Sequence, residues 1–258
     1  MTAGTLEPPP ADQRPRSRLR WWRELLYGLA FYGAYSLIRN INGSTPVSRV
    51  RAYTNARRII GLERFFGIFQ EQRIQSWFLH SNLVVAFLDD FYGTAHFVVT
   101  VAVLVFLFRS VPKRYPLWRN TLAITTALAL VGFAFFPLMP PRLLPFNFHI
   151  VDTLETVGGL WSFESGPMSA VSNQYAAMPS LHFAWSLWCA LALAPAIKPT
   201  WGKVLAIGYP ALTLVCIVAT GNHFIVDAVA GALLLAVGYG LSRLLSNMVD
   251  AGRALRST

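Results

Sequence analysis

Long, almost unbroken apolar runs dominate this sequence and leave little choice of architecture. Approximately, they are Trp22–Ile38, Phe91–Phe108, Thr121–Met139, Leu181–Ile197, Val204–Thr220 and Phe224–Leu245. Each reaches or approaches the ~20 residues that an α-helix needs to cross the hydrocarbon core of a bilayer at about 1.5 Å per residue. The expected fold is therefore an all-α integral membrane protein, a six-transmembrane helix bundle with amphipathic helices at its outer interface. Charged residues make up 13% of the chain, about half the usual share of a soluble protein. Six spans in 258 residues leave room for one bundle and no separate soluble domain. That divides the chain into a tail over residues 1–17, a membrane domain over 18–246 and a second tail over 247–258. The first tail, with Pro8, Pro9, Pro10 and Pro15, has no apolar period and reads as disordered and cytoplasmic.

The net charge of +10 invites a nucleic-acid reading, but the basic residues flank the apolar runs as they do in oriented membrane proteins. A cytoplasmic N-terminus gathers four clusters on one side: Arg14, Arg16, Arg18, Arg20 and Arg23; Arg109, Lys113, Arg114 and Arg119; Lys198 and Lys203; Arg243, Arg253 and Arg256. Both termini are then cytoplasmic. Most of the remaining basic residues lie between Arg39 and Arg73. Within that stretch Arg57, Arg58, Glu63, Arg64, Glu71 and Arg73 alternate with apolar clusters at helical spacing, which predicts one or two amphipathic helices on the outer interface, basic face toward lipid phosphates. A helix that merely packs on the bundle explains the pattern as well. Cys189 and Cys216 fall inside expected spans and are not expected to pair. No cleavable signal peptide is evident, so the first span would serve as its own targeting signal.

A small set of polar residues interrupts the apolar runs. Asp89, Asp90, Tyr92 and His96 lie near the start of the second span, and Asp89, Tyr92 and His96 share a helical face at i, i+3 and i+7. Ionisable groups at membrane depth are costly and usually mark a site. The third span stops in FFPLMPPRLLP, which holds Arg142. An outer segment, Leu143 to Met178, is expected to form a partly helical cover. The fourth span opens with Pro179-Ser180-Leu181-His182, with Pro179 suited to the first helical position. The sixth opens with His223 and Asp227, spaced i, i+4 for a hydrogen bond. In the orientation above, four span ends meet at one outer level and bring together Arg142, His182, His223 and Asp227.

An imidazole can act as nucleophile or as general acid–base, and a carboxylate behind it fixes its tautomer. His223 with Asp227 suits a nucleophile and its orienting group; His182 suits the acid that protonates a leaving alkoxide. The positive ends of the fourth and sixth helices suit phosphate, and Arg142 could bind its oxygens. Asp89, Asp90 and Tyr92 are candidates for gripping a polyol headgroup, and His96, Ser180, Tyr175 and Asn222 are further substrate-binding candidates. Asn173 sits beside them, although packing and turn formation explain it and Tyr175 equally well.

These motifs resemble the second and third signatures of the type 2 phosphatidic acid phosphatase superfamily, Pro-Ser-Gly-His and Ser-Arg-x5-His-x3-Asp. The string AAMPSLHFAW is more similar to the inositol phosphorylceramide synthase branch, which carries Leu where the phosphatases carry Gly. Tyr92 and His96 match the Tyr-x3-His of that branch. The resemblance covers roughly residues 90–240. It implies that His223 forms a phosphohistidine, that Asp227 orients it and that His182 protonates the leaving group. Two departures stand out. Cys216 and Ile217 replace the phosphatase Ser-Arg, and the first signature, Lys-x6-Arg-Pro, is broken at Phe135 and Leu143.

A less cationic pocket favours a phosphodiester, with one negative charge, over a dianionic phosphomonoester. The leading expectation is a phosphotransferase of the cell envelope that moves a phosphate-linked headgroup, phosphoinositol for example, from a lipid donor to an alcohol acceptor on the extracytoplasmic face. The alternative is a lipid phosphate or polyprenyl pyrophosphate phosphatase using the same residues with water. No cofactor and no metal is expected, and no nucleic acid; the partners are lipid substrates and the membrane. Two other classes fit the sequence less well. A metal held by His96, His182, His223 and Asp227 lacks the usual ligand motifs, and interhelical polar glue in a transporter or scaffold does not explain an aligned His-His-Asp set.

Overall fold

A computed structural model describes residues 20–24, 26–30, 33, 49–157 and 174–255. Among them the chain is helical throughout apart from turns and one isolated bridge between Leu138 and Ala176. We number the helices α1 (Arg49–Phe65), α2 (Glu71–Phe78), α3 (Asn82–Ser110), α4 (Tyr115–Phe135), α5 (Thr153–Thr156), α6 (Leu181–Leu193), α7 (Thr200–Ala219) and α8 (Ile225–Leu255). Residues 21–24 and 26–30 are also helical. They are tied to the start of α4 by Glu24, which pairs with Arg119 at 2.6 Å and accepts a bond from the Tyr115 hydroxyl. The rest of the first expected span, the N-terminal tail and Asn173 lie outside the described residues.

Four helices, α3, α4, α7 and α8, are long and apolar enough to cross a membrane. The pattern is that of an integral membrane protein; of the six spans read from the sequence, most of the first falls outside the described residues. α6 has only 13 residues, about 20 Å at ~1.5 Å per residue and short of a bilayer core of about 30 Å. It packs instead among α3, α4, α7 and α8. Enclosure by other helices removes any need to match the lipid, which is why its composition is apolar all round. The bounds shift elsewhere too. α3 begins at Asn82 under the Ser81 cap, α4 stops at Phe135 before Pro137, and α8 continues to Leu255 through residues expected as a tail.

Two of the buried apolar clusters bracket the site. Away from the site, Trp118, Trp188, Leu107, Cys189 and Leu235 pack together, and the Trp188 indole donates to the Trp118 carbonyl at 2.9 Å. On the site side, Ala52, Ala56, Ile59 and Ile60 of α1 pack with Leu138, Met139, Ala177 and Phe224. The buried face of α1, Ala52, Asn55, Ala56, Ile59, Ile60 and Glu63, follows a helical stripe, while Arg51, Arg57, Arg58 and Arg64 are exposed. α1 and α2 are thus amphipathic as expected, but they are fastened to the bundle.

Candidate active site

The site is assembled by turns at the helix ends. At the end of α7 the chain makes a Schellman turn: the Gly221 N–H donates to the Val218 carbonyl and the Asn222 N–H to that of Ile217. Gly221 sits at φ +68°, and a β-carbon there would meet Arg142 at 3.2 Å, so glycine answers both the backbone and the crowding. The Arg142 N–H in turn donates to the Gly221 carbonyl at 2.8 Å. This fixes the prolyl turn after α4 against the residues just before His223.

His223 is not in a helix, as its spacing to Asp227 had suggested; it lies two residues before α8. The pairing survives because α8 starts at Ile225 and turns Asp227 back toward its own N-terminus. Asp227 Oδ2 accepts the Phe224 N–H at 2.9 Å and lies 3.3 Å from His223 Nδ1. His223 Nε2 is buried and has no partner among the described residues. Pro179 likewise is not the first helical residue. Ser180 is the cap of α6, its hydroxyl accepting the Phe183 N–H at 3.4 Å, and the Met178–Pro179 bond is cis. The cap places His182 in the first turn of α6.

The rings converge. The His182 and His223 centroids are 5.6 Å apart; Tyr92 stacks on His182 at 4.1 Å, and His96 meets it edge-on at 4.2 Å. His96 Nδ1 lies 3.0 Å from the Tyr92 carbonyl. The shared face of α3 therefore delivers Tyr92 and His96 to His182. A cavity of about 10 Å³ touches Phe91, Tyr92, His96, His182, Tyr209, Thr213, Cys216 and Ile217, room for about one water.

Arg142 does not stand alone. Its guanidinium pairs with Asp152 at 2.5 Å and donates through Nε to Asn222 Oδ1 at 3.1 Å. Asp152 belongs to a strap in which three consecutive residues are each held. Val151 exchanges two backbone bonds with the Gln75 amide, Asp152 holds Arg142, and the Thr153 hydroxyl donates to buried Asp89 at 2.9 Å. Asp89 thus anchors the cover rather than facing the histidines. Asp90 is one residue further round α3, where its carbonyl takes the Thr94 hydroxyl. Tyr175 packs on the α1 cluster and gives its carbonyl to the Leu138 N–H. Cys216 donates to the Leu88 carbonyl, and Ile217 is wholly buried. Gln75, Asp152 and Thr153 were not singled out in the sequence.

Glu63 and Glu71 stood in the sequence only as charges of the amphipathic stretch. Both are fully buried. Glu71 Oε1 accepts the Ile225 N–H at 3.1 Å and Glu63 Oε1 the Val226 N–H at 2.8 Å. With Asp227 on Phe224, three successive amides at the start of α8 end on three carboxyl groups. The expected use of this helix end for substrate phosphate is thereby corrected: those donors are occupied by side chains that suit the positive dipole end equally well. Burial and the facing Glu71 push the Glu63 carboxyl up to about 9. The signal was present in the sequence, since Glu63 falls on the apolar stripe of Ala52, Ala56 and Ile59.

The described residues contain no group of three His, Cys, Asp or Glu side chains arranged to hold a metal ion. The model of the PAP2 superfamily matches residues 57–241, well over half of the chain. The chain belongs to the PAP2 superfamily. No curated protein and no solved structure matches it. Members of the PAP2 superfamily are phosphatases or phosphotransferases acting on phosphoesters, so an enzyme of that kind is the coarse identity. The match begins within α1 and so includes Glu63 and Glu71 as well as the histidines.

Proposed function

We propose that the chain is a membrane lipid phosphotransferase. It moves a phosphate-linked headgroup, phosphoinositol in type, from a lipid donor to an alcohol acceptor. The observation that carries this reading is His223: its Nδ1 is turned to Asp227 while its buried Nε2 lacks a partner and its ring faces His182. Nε2 attacks phosphorus, the bond from phosphorus to the lipid alkoxide breaks, and His182 gives that oxygen its proton. The acceptor alcohol then attacks the phosphohistidine, returns a proton to His182 and frees His223. Asp227 holds the tautomer and stabilises the positive charge on the ring. No step requires a metal.

The choice of a phosphodiester is supported by the cation supply. Arg142, which lies against the turn before His223, is already matched by Asp152, and the superfamily's Ser-Arg position is filled by Cys216 and Ile217. One net negative charge suits such a pocket better than two. The similarity of AAMPSLHFAW and of Tyr92-x3-His96 to the inositol phosphorylceramide synthase branch points the same way. We assign the site to the extracytoplasmic face, with both termini cytoplasmic, on the distribution of basic residues. The test is incubation of purified protein with labelled phosphatidylinositol and ceramide, polyprenol or glycan acceptors. Transfer of label supports the reading. Release of inorganic phosphate from phosphatidic acid or a polyprenyl pyrophosphate, unaffected by added alcohols, replaces it with the phosphatase.

A further inference from the structure

We infer that Glu63 and Glu71 share one proton and act as positioning residues for His223, so that the amphipathic helices α1 and α2 form part of the working site. The inference rests on the reading of His223 as the nucleophile. Each glutamate uses Oε1 to hold one amide of α8, and Oε2 of each has no other partner. The two amides they hold are consecutive, so the two carboxyl groups lie side by side, each with one buried oxygen left over. Two carboxylates are acceptors only, so a bond between them requires a proton. That proton also satisfies both of the buried oxygens left over, each of which would otherwise be costly.

The titratable groups facing Glu63 are Glu71 from α2 and Asp227 from α8, both acidic, while the Val226 amide of α8 donates to it. Both acids act in the direction that keeps Glu63 protonated. The arrangement has two effects on His223. It clamps the first turn of α8, whose position sets Asp227 and through it the imidazole. It also leaves one fewer negative charge beside Asp227, the carboxylate that orients the imidazole. Ionisation of Glu63 would set like charges against each other and loosen the clamp.

The experiment compares wild type with Glu63→Gln, Glu63→Ala and Glu71→Ala in detergent micelles. The probes are labelled phosphatidylinositol and a chromogenic aryl phosphodiester, followed across pH. Gln at position 63 is neutral, accepts the Val226 N–H and donates to Glu71, so turnover at neutral pH should stay within about threefold of wild type. Both alanine variants should lose about 10²-fold in kcat, as small displacements of a reacting group do, with little change in KM. The fall in rate on the alkaline side, near the value of Glu63, should move upward or disappear in Glu63→Gln. Infrared spectra should show a protonated-carboxyl band in wild type at neutral pH that is missing from Glu63→Gln. Identical alkaline limbs with no difference in the band overturn the inference, as does a fully active Glu63→Ala. If the alanine variants do not fold, Glu63→Gln and the infrared band decide. If wild type turns over neither probe, the reading of His223 fails, whereas the band still reports on the shared proton.

Discussion

The Ser180 N–H donates to the Asp227 carbonyl at 3.0 Å, joining the starts of α6 and α8 by backbone. This one bond links the segment that carries His182 to the segment that carries His223. The crossing is closest at Gly231, where a β-carbon would come within 2.4 Å of the Ser180 carbonyl oxygen.

Gly231→Ala should therefore separate the two histidines. The obstacle is backbone, which cannot turn aside as a side chain can. Overpacking of this kind costs ~1–3 kcal/mol, and a shift of about 1 Å can cost about 10²-fold in rate. Thermal unfolding in detergent should show the first and turnover the second. Glycine 240, with nothing within 4 Å of its β-carbon position, is the control: Gly240→Ala should leave both unchanged.

Asp227→Asn should lower kcat by about 10³-fold or more, because an amide cannot hold the same tautomer of His223. His182→Ala should depend on the leaving group. With a lipid alkoxide the loss should be about 10²- to 10⁴-fold, the usual worth of a general acid. With an aryl phosphodiester, whose phenolate leaves without a proton, it should be much smaller. An equal loss on both substrates would remove His182 from the acid role.

Asp152→Asn should release Arg142. The ion pair is largely buried, its side chains 8% and 13% exposed, so the unmatched guanidinium should destabilise the protein by ~1–3 kcal/mol. Added inorganic phosphate or vanadate should restore the melting temperature more in the variant than in wild type. Hydrolysis of phosphatidic acid should rise relative to phosphodiester transfer, since the pocket gains a positive charge.

The Glu63 carboxyl, raised from 4.5 to about 9, makes stability depend on pH in a stated direction. Below 4.5 folded and unfolded chains both carry the proton, and the full contribution is present. Between 4.5 and about 9 the folded chain binds the proton and the unfolded chain does not, so stability falls as pH rises, by at most ~1.4 kcal/mol per unit. Above that range it levels off. Glu63→Gln should flatten this slope in melts recorded from acid to alkaline pH.

The candidate catalytic side chains were legible because polar groups in apolar runs are rare, and because His182, His223 and Asp227 fall where span direction brings the ends together. The shared face of Asp89, Tyr92 and His96 followed from the helical period alone. What was not legible depended on partners distant in sequence. Glu63 and Glu71 read as part of a charged interfacial stretch, since nothing local reveals that α8 offers them two amides. The Arg142–Asp152 pair was hidden because Asp152 lies in an irregular segment with no period of its own. The length of α6 was hidden because burial by neighbouring helices and burial by lipid demand the same composition. Pro179 and His223 lie two residues ahead of the starts of α6 and α8, since the Ser180 cap and the Gly221 turn decide where each helix can begin.

The strap of Val151, Asp152 and Thr153 is held to α2, to the prolyl turn and to α3 by consecutive residues. Releasing one residue strains its neighbours, so the three fastenings should let go together and re-form together. During the proposed reaction a covalent intermediate waits on His223 for an acceptor, and bulk solvent, at vastly higher concentration than any lipid alcohol, is the rival. Whether such an enzyme synthesises or merely degrades is then a matter of timing: how long the latch stays shut after the first product has left.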